Sequence, residues 1–252
     1  MRKILLIFSI IILFLAAVTI YNNDTKVIVS RLNKNSNIQI GDLRYRINLL
    51  GVIPVGEAIF QRETIEEYKG QRVYHLIAAA RNLSIFSKFF SSYAALDSYI
   101  DMQQFNPILF KQRLLVTGKE GIDKEVIYDQ RQGIMSIANV RRQILPNTQD
   151  PLSAIFNIRR MDFDKTKEFE MNLNTNQKNY ILKGTARLKN ILVNKKIYKI
   201  ILLGIQISRR DKNPYHKSRI KMVLLKEKDN LPILIDVFAS GIFINAYLID
   251  IK

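Results

Sequence analysis

The chain is thinly equipped for acid–base or metal chemistry: it has two histidines, His75 and His216, no cysteine, and few carboxylates placed where they could act. Neither histidine has a second His or Cys at ligand spacing, and no His-Glu-x-x-His run occurs. His75, in Val73-Tyr74-His75-Leu76, reads as a satisfied or exposed mid-strand residue, and His216, in Pro214-Tyr215-His216-Lys217, as a solvated turn residue. Glu66 and Glu67 are adjacent and read as solvated turn charges, not as a hydrolase pair. Asp97 and Asp101 share a strand face with Tyr99, where cross-strand pairing with Arg or Lys accounts for them. Asp150 stands directly before Pro151. It reads as a helix N-cap, with Pro151 at the first helical position, where its missing N–H is not needed. No Gly-x-Ser-x-Gly elbow, Walker loop or Gly-x-Gly-x-x-Gly fingerprint is present. The chemistry expected is therefore negative: no catalytic residue, no metal, no cofactor and no enzyme.

The elements around these residues are mostly strands. Leu43 to Leu50 alternates Tyr45, Ile47 and Leu49 with Arg44, Arg46 and Asn48. Gly51, Pro54 and Gly56 punctuate a turn, and a second strand is expected from Glu57 to Thr64, followed by a polar turn over 66–70. Further strands are expected over 72–80, 94–101, 108–117, 124–129, 134–138, 169–174, 180–188, 195–208, 218–227, 232–239 and 243–249. Two segments differ. In Ser84 to Ser91 the apolar residues Ile85, Phe86, Phe89 and Phe90 recur at helical spacing, which predicts a short amphipathic helix. Its aromatics either plug the open side of a curved sheet or line an apolar pocket. A second helix is expected over 151–160, with Leu152, Ile155, Phe156 and Ile158 apolar. Short connections between consecutive strands predict one strongly curved antiparallel sheet, or a half-barrel, with two short helices.

Charge and the N-terminus bear on location. Arg2 and Lys3 precede an apolar run from Ile4 to Ile20, the pattern of an export segment whose cationic flank stays in the cytoplasm. Residues 1–21 are expected to be a signal peptide or signal anchor. No clean small-x-small site precedes a cut, which favours an uncleaved anchor over residues 4–20. Residues 22–40 read as a polar linker, and residues 41–252 as one β domain outside the cytoplasm. The formal net charge is +17, and residues 183–228 hold 14 Lys and Arg against 2 acidic residues. Lys183, Arg187 and Lys189 share one strand face, as do Arg219 and Lys221. They form either a surface for anionic lipid or a solvated face produced by compositional bias. Tyr198 and Tyr215 are the only aromatics among them, too few stacking platforms for nucleic acid, so none is expected as a partner.

The order of motifs resembles a bacterial family of predicted exported proteins, domain of unknown function 3108. The likeness runs through Tyr45 to Ala58, with Gly51, Pro54, Gly56 and Glu57 in its turn. It continues through Tyr74 to Ala80, Ile85 to Phe90 and Leu96 to Asp101, and ends at Gln149-Asp150-Pro151-Leu152-Ser153-Ala154. The resemblance implies an extracytoplasmic β-rich domain, a half-barrel similar to the lipoprotein localisation factors, which cradle acyl chains on a concave apolar face. It implies no catalytic residue. The function expected is a non-enzymatic envelope protein binding a lipid or lipoprotein acyl chain near Ile85, Phe86, Phe89, Phe90 and Phe156. The alternative is an envelope adaptor that pairs with a protein through its sheet edges.

Overall fold

The computed structural model describes residues 25–30, 41–86, 91–175, 177–210 and 218–251, with the backbone alone of Phe86. The expectations on residues 1–24, on the rest of the 22–40 linker over 31–40, and on Phe89, Phe90 and His216 lie outside these; residues 25–30 are helical, with Ile28 and Val29 buried in the core, and are not a polar linker. No described helix is long and apolar enough to cross a membrane.

Fifteen described strands form one sheet: β1 Leu43–Leu49, β2 Ile53–Phe60, β3 Thr64–Tyr68, β4 Gln71–Asn82, β5 Ser92–Asp101, β6 Pro107–Val116, β7 Ile122–Asp129, β8 Ile134–Ile137, β9 Val140–Gln143, β10 Glu168–Thr175, β11 Lys178–Val193, β12 Lys196–Arg209, β13 Ser218–Leu225, β14 Leu231–Ala239 and β15 Ile242–Ile251. The spatial order runs β10-β11-β12-β13-β14-β15-β1-β2-β4-β5-β6-β7-β8-β9, with β3 paired to β4. Every neighbouring pair is antiparallel, as short connections require. The chain therefore starts in mid-sheet and builds outward, and β15 returns to close on β1. One α-helix, α1 Pro151–Arg159, lies between the two halves in sequence. The mostly-β, single-sheet class read from the sequence is the one observed.

Coiling brings the two ends of this sheet together. After β9 the chain crosses to β10, where Gln149 pairs in parallel with Leu173: Gln149 N–H donates to Asn172 O and Asn174 N–H to Gln149 O, each at 2.8 Å. Asn179 Nδ2 donates to Gln143 O and Asn172 Nδ2 to Pro146 O, at 2.9 and 2.8 Å. Part of the β10 edge is thus satisfied by this strap.

Three apolar clusters make the core. In β12 and β13 consecutive residues are buried on both faces. Ile201, Leu203, Met222 and Leu224 pack with Ile158, Phe163 and Phe169, whereas Ile200, Val223 and Leu225 pack with Ile28 and Val29 of the helical residues 25–30. Covering both faces is why Met222–Leu225 and Leu231–Leu234 are continuous apolar runs, not alternating ones. The third cluster joins Ala78, Phe110, Val126, Met135 and Leu152 beneath α1.

Several expectations need correction. Of the helix expected over 84–91, the described residues Ser84–Phe86 form a 3-10 turn. The connection is tied at both ends, by Leu83 N–H to Val55 O and Ser92 N–H to Asn82 Oδ1. Pro54 and Gly56 lie inside β2, not in a turn. Pro54 sits where the β1–β2 register shifts, so its missing N–H disturbs no regular ladder. The strand expected over 57–64 is two strands broken at 61–63, because β2 and β3 pair with successive halves of β4. The polar turn over 66–70 is therefore mostly β3. Strand β9 had no apolar alternation to reveal it; its four residues are all exposed.

Candidate functional site

Helix α1 fills part of the concave face, and its placement is fixed by its cap. Asp150 Oδ1 accepts from the N–H groups of Leu152 (2.7 Å) and Ser153 (3.0 Å), and Ser153 Oγ accepts from Asp150 N–H. This is a capping box with Pro151 at N1, as the sequence predicts. Asp150 Oδ2 accepts from Ser98 Oγ of β5 at 2.6 Å, which fastens the helix to the sheet. Asn157 Nδ2 bonds to Phe105 O and Gln149 Oε1, and Gln149 Nε2 to Asn106 Oδ1. Burial pushes the Asp150 carboxyl up to about 6, against the pull of its hydrogen bonds from Ser98, Ser153 and Leu152. Burial also raises the Tyr128 hydroxyl, helped by the Asp150 charge.

Fixed in this way, α1 turns Leu152, Ile155 and Phe156 towards Leu43, Tyr45 and Phe60 of β1 and β2, leaving a slot of about 50 Å³. Phe156 also packs on Tyr74, with ring centroids 5.2 Å apart. The slot shares Arg62, Glu63, Phe156 and Arg159 with a wider vestibule of about 770 Å³, into which Arg160, Lys226, Asp229 and Asn230 also face. An apolar crevice thus adjoins a chamber with four cations and two carboxylates.

The sequence pointed to one wall of this slot, Phe156, and missed the cations. Ile85 does not line it: its side chain is 71% exposed on the 3-10 turn that joins β4 to β5. A signal for Arg159 existed, since Leu152, Ile155, Phe156 and Arg159 stand at i, i+3, i+4 and i+7. The charge therefore continues the apolar stripe of the helix.

The remaining candidates have structural partners. On the outer face His75 lies between two carboxylates, with Nδ1 2.9 Å from Glu66 Oε1 and Nε2 3.1 Å from Asp97 Oδ1, and its ring stacks on Tyr99 at 4.2 Å. The hydrogen bond from His75 lowers the Glu66 carboxyl below its usual range. Asp97 thus pairs with a histidine, not with the Arg or Lys expected; Lys111, directly opposite, reaches Glu125 instead. Asp101 accepts the N–H groups of Gln103 and Gln104 in a turn. Glu57 holds Arg46 at 3.1 Å and Arg44 at 3.7 Å. Gly51 takes φ 79° in the β1–β2 turn, and a Cβ on Gly56 would lie 2.7 Å from Arg81 O.

The basic residues do share a face. Lys183 stands opposite Gln206 and Gln206 opposite Arg219, while Lys221 stands opposite Asp236; Arg187 and Lys189 are exposed on the same side of β11. Lys183 is paired with Glu170 at 2.6 Å. Leu188, on the opposite side of β11 from these cations, is 41% exposed. No metal-ligating cluster occurs among the described residues.

No protein-family model and no curated protein matches the chain. A crystal structure of a β-barrel-like protein of domain of unknown function DUF1849 from Brucella abortus is similar in fold. It has a TM-score of 0.56 and 10% identity over 85% of this chain and 100% of that one. At that identity the likeness shows the fold alone, a barrel-like β architecture. The half-barrel expected from the sequence agrees with it, whereas no match assigns the chain to the family its motifs resemble.

Proposed function

We propose that this protein is a non-enzymatic, extracytoplasmic carrier or sensor that binds an amphipathic ligand, a lipid or a lipoprotein acyl chain, on the concave face of its sheet beside α1. The observation that carries this reading is the continuity of an apolar slot with a cationic vestibule, which matches a molecule with a greasy chain and a polar head. The slot of about 50 Å³ is small beside ligand pockets of roughly 300–1,000 Å³. A chain therefore enters by displacing the Ile155 and Phe156 side chains towards the vestibule. The export pattern of Arg2 to Ile20 supports a place outside the cytoplasm. The absence of enzymatic activity is supported by how the candidate groups are used: Asp150 caps α1, and Asp97 and Glu66 hold His75.

The adaptor reading has less to work with, because Gln149 already occupies Asn172 and Asn174 on the β10 edge. Photo-crosslinking separates the two. A photoreactive residue at Ile155 of the full chain, activated in cells, is expected to yield adducts of lipid mass. Adducts of one reproducible protein, with no lipid adduct, would favour the adaptor.

A further inference from the structure

Arg159 is a cation built into an apolar wall. It lies on the buried stripe of α1, half-buried, and its Nε is shut off from solvent with no hydrogen-bond partner. Its guanidinium makes no ion pair among the described residues; the only bonds at this residue run to its backbone, where Asn230 Nδ2 donates to Arg159 O at 2.8 Å. A buried, unpaired charge is costly, and side chains of this kind ordinarily find a carboxylate. The neighbouring hydroxyl does not serve: Tyr45 is buried, its O–H donates to Pro232 O at 2.6 Å, and its oxygen accepts no hydrogen bond from Arg159 Nε. The Arg159 charge is nonetheless felt there, opposing the rise that burial imposes on Tyr45.

The other vestibule cations differ. Arg160 lies over the Phe105 ring at 4.2 Å, and Lys226 is bonded to Asp164. The Arg62 side chain, like that of Arg159, has no hydrogen-bonded or ionic partner among the described residues; only its backbone N–H is used, by Asp42. Glu63 and Asp229 share the chamber without pairing to either guanidinium. Two unpaired guanidinium groups thus border one cleft, with apolar walls behind Arg159.

We infer that Arg159, assisted by Arg62, is an oxyanion subsite that takes the carboxylate or phosphate head of the ligand whose chain occupies the slot. This rests on the ligand reading given above. The guanidinium fork matches a carboxylate or phosphate in a bidentate manner and is weakly hydrated, so it suits a half-buried site better than an ammonium. The head would satisfy Arg159 and leave the chain pointing between α1 and β1–β2.

The chain has no tryptophan, so a single introduced one is a unique reporter. Full-length protein carrying Tyr74→Trp, beside Phe156, is placed in phosphatidylcholine nanodiscs. It is titrated with dibromostearate, its uncharged methyl ester and a brominated phosphatidate, whose bromines quench Trp on contact. At least one of the two anions is expected to quench at about tenfold lower concentration than the ester. Arg159→Gln is expected to abolish that preference while leaving ester quenching unchanged, and Arg159→Lys to keep part of it. Which anion quenches identifies the head as carboxylate or phosphate. Equal loss for acid and ester in Arg159→Gln, or equal quenching by acid and ester in the parent, overturns the subsite but leaves the ligand reading standing. No quenching by any of the three defeats the ligand reading and the subsite with it. Circular dichroism of both Arg159 variants guards against loss of folding.

Discussion

Ser98 and Asp150, 52 residues apart in sequence, meet at 2.6 Å in the fully buried seam between β5 and the start of α1. This contact converts a local helix cap into a tertiary anchor, because the same carboxylate serves two N–H groups of the first helical turn. Asp150→Ala removes the cap and leaves three buried donors unsatisfied. It is expected to cost about 3–4 kcal/mol in urea unfolding, against about 1–2 kcal/mol for Ser98→Ala, which leaves the cap intact. Equal losses in the two variants would contradict this division of labour.

The same carboxylate gives the protein a pH signature. Asp150 titrates at about 6 in the folded state, above its ordinary 3.8. Between those values the native state holds a proton that the unfolded chain releases. Stability from this group is therefore greatest at low pH, falls as pH rises from about 4 through about 6, and is flat above about 7. The fall is expected to be roughly 3 kcal/mol. Other carboxylates titrate with the opposite sign, Glu66 among them, so the comparison must be with Asp150→Asn. The unfolding free energy of the parent relative to Asp150→Asn should drop between about pH 4 and about pH 7; an unchanged difference would refute the buried-carboxylate account.

Gly184 on β11 faces Phe169 on β10 directly, and a Cβ there would lie 2.2 Å from the ring. The far end of the ring occupies the space a side chain would need, at the edge strand that carries the closing strap. Gly184→Ala is expected to cost about 2–3 kcal/mol by overpacking. Phe169→Ala combined with Gly184→Ala should recover part of that loss, as read by chemical denaturation, and strict additivity would contradict the packing claim.

If the outer face meets anionic lipid, its cations without an ion-pair partner among the described residues do the work. Arg187, Lys189 and Lys221 are exposed on one face, while Lys183 is already paired with Glu170. Reversing the first three to Glu is expected to weaken binding to phosphatidylglycerol vesicles by at least about tenfold at low salt, and addition of salt should erase the difference. Binding unaffected by either change would make this face a solvated surface only.

The sequence revealed what local physics determines. The alternation in Leu43 to Leu49 marked β1, and Asp150-Pro151 marked the start of α1. It hid what depends on distant partners. β3 looked like a polar turn because Glu66 owes its place to His75, on another strand. In β12 and β13 the buried pairs Ile200–Ile201 and Val223–Leu224 gave no period, because opposite faces pack on different clusters. Phe156 was visible as part of an apolar stripe, and Arg159 stands at the next position of that stripe, but a cation in the last turn of a helix is ordinarily read as a partner of the helix dipole. Only the fold shows that it faces an apolar slot.

Everything about function turns on whether an acyl chain reaches the concave face beside α1. Contact quenching of a tryptophan at position 74 by dibromostearate, with a second tryptophan protein carrying Leu192→Trp at an exposed position near the end of β11 as reference, measures this directly. The account predicts saturable quenching at position 74 and only weak, non-saturating quenching at position 192. Equal quenching at both positions, or none at position 74, would contradict it.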